Sequence, residues 1–211
     1  TYLGKSIFRG CSSLKMIKIP DSVTAIRENS FYNCLSLERI QMHHLISTIA
    51  ESAFKGCSSL TKIEIPESVK KINENTFNGC TSLTFLKIPT TVESIESNAF
   101  SNCSNLEKIE IDPFVTHIKS DSFINCPSLT HLTIILKERK SIQTFDFPLK
   151  NQITYIKFPK MPLKICQFAF TNWPSLREVD VGRLTLIENN AFKPDIIITR
   201  NNILMPGCYI C

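Results

Sequence analysis

The sequence predicts a mostly β protein with turns, wound as a solenoid of about nine repeats of 23 residues. Three observations carry this. Phe8, Phe31, Phe54, Phe77, Phe100 and Phe123 are evenly spaced, and each is followed three residues later by Cys11, Cys34, Cys57, Cys80, Cys103 or Cys126. Three residues further on come Leu14, Leu37, Leu60, Leu83, Leu106 and Leu129 in the same register. Each repeat then carries a short apolar alternation, and no stretch sustains a 3.6-residue period long enough for an ordinary helix. A fixed period of this length marks one supersecondary unit stacked on copies of itself.

The elements follow in order. Leu14, Ile17 and Ile19 spell L-x-x-I-x-I, in which Ile17 and Ile19 alternate with Met16 and Lys18, the period of two of a half-buried strand. Later copies are Leu37/Ile40/Met42, Leu60/Ile63/Ile65, Leu83/Leu86/Ile88, Leu106/Ile109/Ile111 and Leu129/Leu132/Ile134. Pro20, Pro66 and Pro89 stop the strand, since proline has no N–H to give a ladder. A second apolar pair, Val23/Ile26, returns as Val69/Ile72, Val92/Ile95 and Val115/Ile118, and reads as a segment along another side of the coil. The polar triplet Arg27, Glu28 and Asn29 reads as a turn, with a single helical turn expected around each Phe. After Phe123 the register slips by one residue at the charged bulge Lys137–Lys140 and then resumes through Phe147, Phe170 and Phe192. In these last units the Cys slot becomes Lys150, Trp173 and Asp195, the degeneration expected towards a capping end. The chain therefore divides into a solenoid over 1–200 and a tail over 201–211. It starts at Thr1 partway through a unit, as expected of a fragment.

Composition narrows the function classes. The net charge of +5 is mild and spread along the chain, so no basic patch argues for nucleic acid. No apolar run approaches the roughly 18 residues of a membrane helix. Six of the nine cysteines hold one slot of the repeat, which favours reduced thiols packed as small hydrophobes over a disulfide framework.

The full pattern L-x-x-I-x-I-P-x-S-V-x-x-I-x-x-x-x-F-x-x-C, as in SSLTKIEIPESVKKINENTFNGC, resembles the BspA-like class of leucine-rich repeats. It departs from the commoner leucine-rich pattern, which has Asn or Cys soon after the strand and usually a convex helix. The resemblance extends from Phe8 to about Phe192. It implies a curved leucine-rich repeat solenoid with its parallel sheet on the concave face, and a role in adhesion and protein binding on the surfaces of bacteria or parasitic protists. It implies no catalytic residues and no cofactor, so the chain is expected not to be an enzyme.

The outward strand positions form the candidate binding face. One column runs Met16, Arg39, Lys62, Phe85, Lys108, His131, Tyr155, Glu178, and a flanking one Lys18, Gln41, Glu64, Lys87, Glu110, Thr133, Lys157, Asp180. Aromatic side chains among basic ones suit a protein interface, with self-association the alternative use. His43 and His44 fall in the turn after a strand without metal-ligand spacing and read as solvated. Glu64 and Glu110 share their column with Lys18 and Lys87, which reads as a mixed charged face rather than an acid/base pair.

The chain closes with Cys208, Tyr209, Ile210 and Cys211, a C-a-a-X pattern for prenylation of Cys208, with Asn201–Gly207 as tether. Protist members of the resembled class often end in such a box. A single lipid gives marginal binding, so repeat-mediated oligomerisation would add the second contact. The expectation is thus a lipid-anchored recognition or adhesion protein at the cell membrane. The alternatives are a soluble cytoplasmic scaffold, or a thiol redox protein using Cys208-x-x-Cys211.

Overall fold

The computed structural model describes residues 1–113, 115–136, 141–143, 145, 147–200 and 203–204. They are parallel strands and turns wound into about eight solenoid turns roughly 23 residues apart, with no helix among them. The helical turn expected around each Phe is instead a tight turn: Cys34 N–H bonds the Phe31 carbonyl, and Tyr32 N–H that of Asn29. The chain forms two compact units, one of Thr1–Ile109 with Val115–Leu129, the other of Glu110–Phe114 with Thr130–Cys211.

The first unit contains β1 (Tyr2–Leu3), β2 (Met16–Lys18), β3 (Ala25–Ile26), β4 (Arg39–Gln41), β5 (Thr48–Ile49), β6 (Lys71–Ile72), β7 (Phe85–Lys87), β8 (Ser94–Ile95), the start of β9 (Lys108–Ile111) and β10 (His117–Ile118). Two walls result, as the two apolar segments of each repeat foretell. On the sheet wall β2 pairs β4 in parallel, Met16 opposite Arg39, and β7 neighbours β9. On the return wall the parallel ladders are β1-β3-β5 and β6-β8-β10. One expected strand is missing. Ile63 and Ile65 do point into the core, but Thr61–Ile65 belong to no ladder.

The third arm of each turn carries the core. The rings of Phe8, Phe31, Phe54, Phe77, Phe100 and Phe123 stack with centroids 5.2 to 5.4 Å apart. Offset stacking adds to what their burial alone contributes. Beside them Cys34, Cys57, Cys80, Cys103 and Cys126 are buried free thiols, while Cys11 on the first turn is exposed. The backbone takes the left-handed conformation at Asn29, Asn75 and Asn98, two residues before Phe31, Phe77 and Phe100, and at Asn33, Gly56, Gly79, Asn102 and Asn125, two residues after Phe31, Phe54, Phe77, Phe100 and Phe123. Asn and Gly recur there because side chains other than short polar ones pay a steric cost at positive φ.

The second unit contains the end of β9, β11 (His131–Ile134), β12 (Ser141–Ile142), β13 (Tyr155–Lys157), β14 (Leu163–Ile165), β15 (Glu178–Val181), β16 (Thr185–Ile187), β17 (Ile197–Arg200) and β18 (Ile203–Leu204). Here β11-β13-β15-β17 run parallel, and β18 adds antiparallel to β17. The return wall is β12-β14-β16. Trp173, which replaces the slot cysteine, is 1% exposed and donates its indole N–H to the Phe145 carbonyl at 3.3 Å. A bulkier side chain thus fills the slot once the thiol column ends.

Candidate interaction face

Because strand side chains alternate across the sheet, inward Ile17, Ile40, Ile63, Leu86 and Ile109 leave Met16, Arg39, Lys62, Phe85 and Lys108 pointing outwards in the first unit. All five are exposed, Met16 to 69% and Phe85 to 37%. Lys18, Gln41, Glu64 and Lys87 flank them and are exposed too. Lys62 Nζ meets Glu64 Oε1 at 2.6 Å, and the ammonium holds the Glu64 carboxyl below its usual range. So exposed a pair contributes little to stability. Its effect is to neutralise the carboxylate among these exposed side chains of the first unit, leaving Lys18, Arg39, Lys87 and Lys108 as their unbalanced charges.

In the second unit the same columns differ from the expected exposed strip. His131 and Tyr155 are half-buried, their rings 5.3 Å apart, and Thr130 Oγ1 lies 2.9 Å from His131 Nδ1. Burial pushes the Tyr155 phenol up, with the charges of Asp180 and Glu178 adding to it. Asp180, placed outwards by the alternation, is 4% exposed and takes a hydrogen bond from Thr199 Oγ1 at 3.4 Å. The next strand, β17, supplies that hydroxyl, which sequence spacing alone could not foresee.

A cavity of about 870 Å³ opens on the first unit's face, lined by Met16, Lys18, Arg39, Met42, Lys62 and Glu64 among others. It lies where the ladder is interrupted at Thr61–Ile65. The repeat beside it departs from the consensus, with Met42 for isoleucine and His43 for proline. His43, expected to be solvated, is half-buried: Leu45 N–H donates to its Nδ1 at 3.3 Å, so its Nε2–H donates to the Pro20 carbonyl at 3.0 Å. The departure from the repeat consensus was the available sequence signal for this site.

Among the described residues no cluster of three or more His, Cys, Asp or Glu could hold a metal ion, and no helix is long and apolar enough to cross a membrane. Cys208 and the rest of its box lie outside the described residues.

Parallel strands at one repeat spacing, an inward Phe and Cys column and an outward polar sheet define a leucine-rich repeat solenoid. The model of the BspA type leucine rich repeat region, in six copies, matches residues 1–85 and 70–198, and the chain belongs to that family. No curated protein matches it. Among solved structures it is similar to a leucine-rich repeat protein from Bacteroides ovatus, with 22% identity and a TM-score of 0.52 over 93% of this chain and 65% of that one. The T. pallidum leucine-rich repeat protein is 23% identical, with a TM-score of 0.54 over 84% of this chain and 72% of that one. At these identities the likeness shows the fold, and the chain spans less than two thirds of the Bacteroides protein.

Proposed function

We propose that the chain is a non-catalytic recognition module that binds a protein partner through the outward face of its sheet. One observation carries this reading: Met16 and Arg39 on one pair of adjacent rungs, and Phe85 and Lys108 on another, stand exposed, basic groups interleaved with large apolar ones. Interfaces favour arginine, methionine and aromatic anchors inside a polar rim. A displayed library of protein fragments, selected on the purified chain, tests it. Binders lost with Phe85→Ser or Lys108→Glu but kept with Lys119→Glu on the return wall support the face. Binders indifferent to every face variant overturn it.

The proposal extends to adhesion or recognition at a cell membrane through a prenyl group on Cys208, a reading that rests on the terminal box and the family resemblance. Intact mass of the C-terminal peptide from the native cell tests this part separately. An adduct on Cys208 supports the anchor, and an unmodified terminus makes the chain a soluble scaffold with the same face.

A further inference from the structure

The outward strand positions of β2 and β4 carry no carboxylate. In this parallel ladder Met16 stands opposite Arg39, and Lys18 opposite Gln41. All four side chains are exposed. Neighbouring strands lie about 4.8 Å apart, and residues two apart on one strand about 6.6 Å. Lys18, Gln41 and Arg39 therefore root at the corners of a small triangle. Side chains of this length, so rooted, reach one shared group above the sheet.

The cavity of about 870 Å³ spreads over this triangle. Lys18, Arg39 and Gln41 have no side-chain hydrogen bond or ion pair among the described residues. The lining carboxylate, Glu64, is already held by Lys62 at 2.6 Å. Asp21 and Glu38, exposed next in sequence to the two strands, are not part of the lining. Two unpaired cations and three groups able to donate N–H bonds thus face one cavity, with its carboxylate occupied. Met16 and Met42 add flexible apolar walls that adapt to what enters.

These counts set the chemistry of the occupant. A carboxylate brings one charge and two oxygens. A phosphorylated side chain brings close to two charges near neutral pH and three strong acceptor oxygens. The second matches two free cations and three donors.

We propose that this cleft holds the phosphoryl group of a phosphorylated side chain on a protein partner. Arg39 takes two oxygens with its planar fork, Lys18 pairs the third as a point charge, and the Gln41 amide donates beside them. Apolar side chains flanking the phosphorylated residue pack on Met16 and Met42. The inference deepens the recognition reading above and rests on it, naming the partner's chemistry at one place on the face.

The probes are a short peptide with leucine on either side of one phosphoserine, its serine and glutamate counterparts, and inorganic phosphate. Each is titrated into the isotope-labelled chain and followed by NMR, which reads weak binding residue by residue. The phosphoserine peptide should shift the Lys18, Arg39 and Gln41 signals saturably. It should bind about tenfold or more tightly than the glutamate peptide or inorganic phosphate, and the serine peptide should not bind. Arg39→Glu or Lys18→Glu, both at exposed positions, should weaken it about tenfold or more, and added salt should weaken it too. Lys119→Glu on the return wall should leave it unchanged. Comparable affinity for the glutamate peptide or inorganic phosphate, indifference to Arg39→Glu, or no shift at these three residues each overturn the proposal. Failure of the phosphoserine peptide alongside library binders that map to Phe85 and Lys108 sinks this site while leaving the recognition reading intact.

Discussion

The Cys80 thiol donates to the carbonyl oxygen of Phe54 at 3.4 Å, and Cys34, Cys57 and Cys103 repeat that step to Phe8, Phe31 and Phe77. Each thiol thereby satisfies a carbonyl one turn back while packing as a small apolar group. Burial pushes the Cys80 thiol up to about 12, and Cys34 to about 11. A folded-state value above the unfolded one means that the native chain holds the proton more tightly. The thiol contribution is therefore complete below the unfolded value, near pH 8.5, and is lost as pH climbs towards the folded ones. For Cys80 the loss is about 1.4 kcal/mol for each unit of pH in that window. The urea midpoint should fall between pH 8 and pH 10, conditions set by that window, and fall less in Cys80→Ala. An equal fall in both proteins would sink the assignment.

Phe77 lies between Phe54 at 5.4 Å and Phe100 at 5.3 Å, with no exposed surface. Phe77→Ala removes two stacked faces and leaves a cavity that neighbouring turns cannot close without breaking their own ladder. The expected cost is about 3–5 kcal/mol, read as a lower thermal or urea midpoint. Phe85→Ser, on the outward face of the next rung, should stay within about 0.5 kcal/mol of the parent. Similar losses in both variants would mean that the inward and outward columns are misassigned.

Most of the fold was legible because the determinants are local and repeated. Phe and Cys at fixed spacing give the core column, and the alternation around Ile17 and Ile40 gives the strand and its outward residues. What escaped depends on neighbours in space. Asp180 is buried by Thr199, a residue of the next strand, and Tyr155 is half covered beside His131. The break at Thr61–Ile65 escaped because Ile63 and Ile65 keep the consensus; the irregularity sits one repeat earlier, at Met42 and His43. The left-handed positions at Asn29, Asn75 and Asn98 were visible as recurring asparagines and went unread.

Ser122 occupies the slot just before Phe123, with its hydroxyl oxygen buried and without a hydrogen-bond partner. In the same slot Ser30 bonds the Gly4 and Arg27 carbonyls, and Thr76 bonds that of Asn73. Ala53 and Ala99 fill it with no polar atom at all. An unmade buried hydrogen bond costs about 1–3 kcal/mol, so Ser122→Ala should raise the midpoint of unfolding. A loss of stability would show that the hydroxyl has a partner in solution.

Gly182 and Gly79 separate two reasons for a glycine. A Cβ on Gly182 would lie 2.9 Å from the Lys160 Cα and 3.0 Å from the Pro159 carbonyl oxygen, backbone atoms that cannot swing aside. Gly182→Ala should therefore cost about 1–3 kcal/mol through overpacking, by pushing apart two turns of the second unit. Gly79 has space, its nearest neighbour being Gly56 at 3.7 Å, but holds φ at +77°. The cost of Gly79→Ala is then conformational, about 1–2 kcal/mol. Asparagine should recover part of it, since Asn33, Asn102 and Asn125 already occupy the equivalent positions at positive φ. Urea midpoints for Gly79→Ala, Gly79→Asn, Gly182→Ala and Gly182→Asn make the comparison. Asparagine should rescue at Gly79 and worsen matters at Gly182, where a larger side chain meets the same backbone wall. Rescue at both sites would show that the Lys160 backbone yields, and that close packing there is not what demands a glycine.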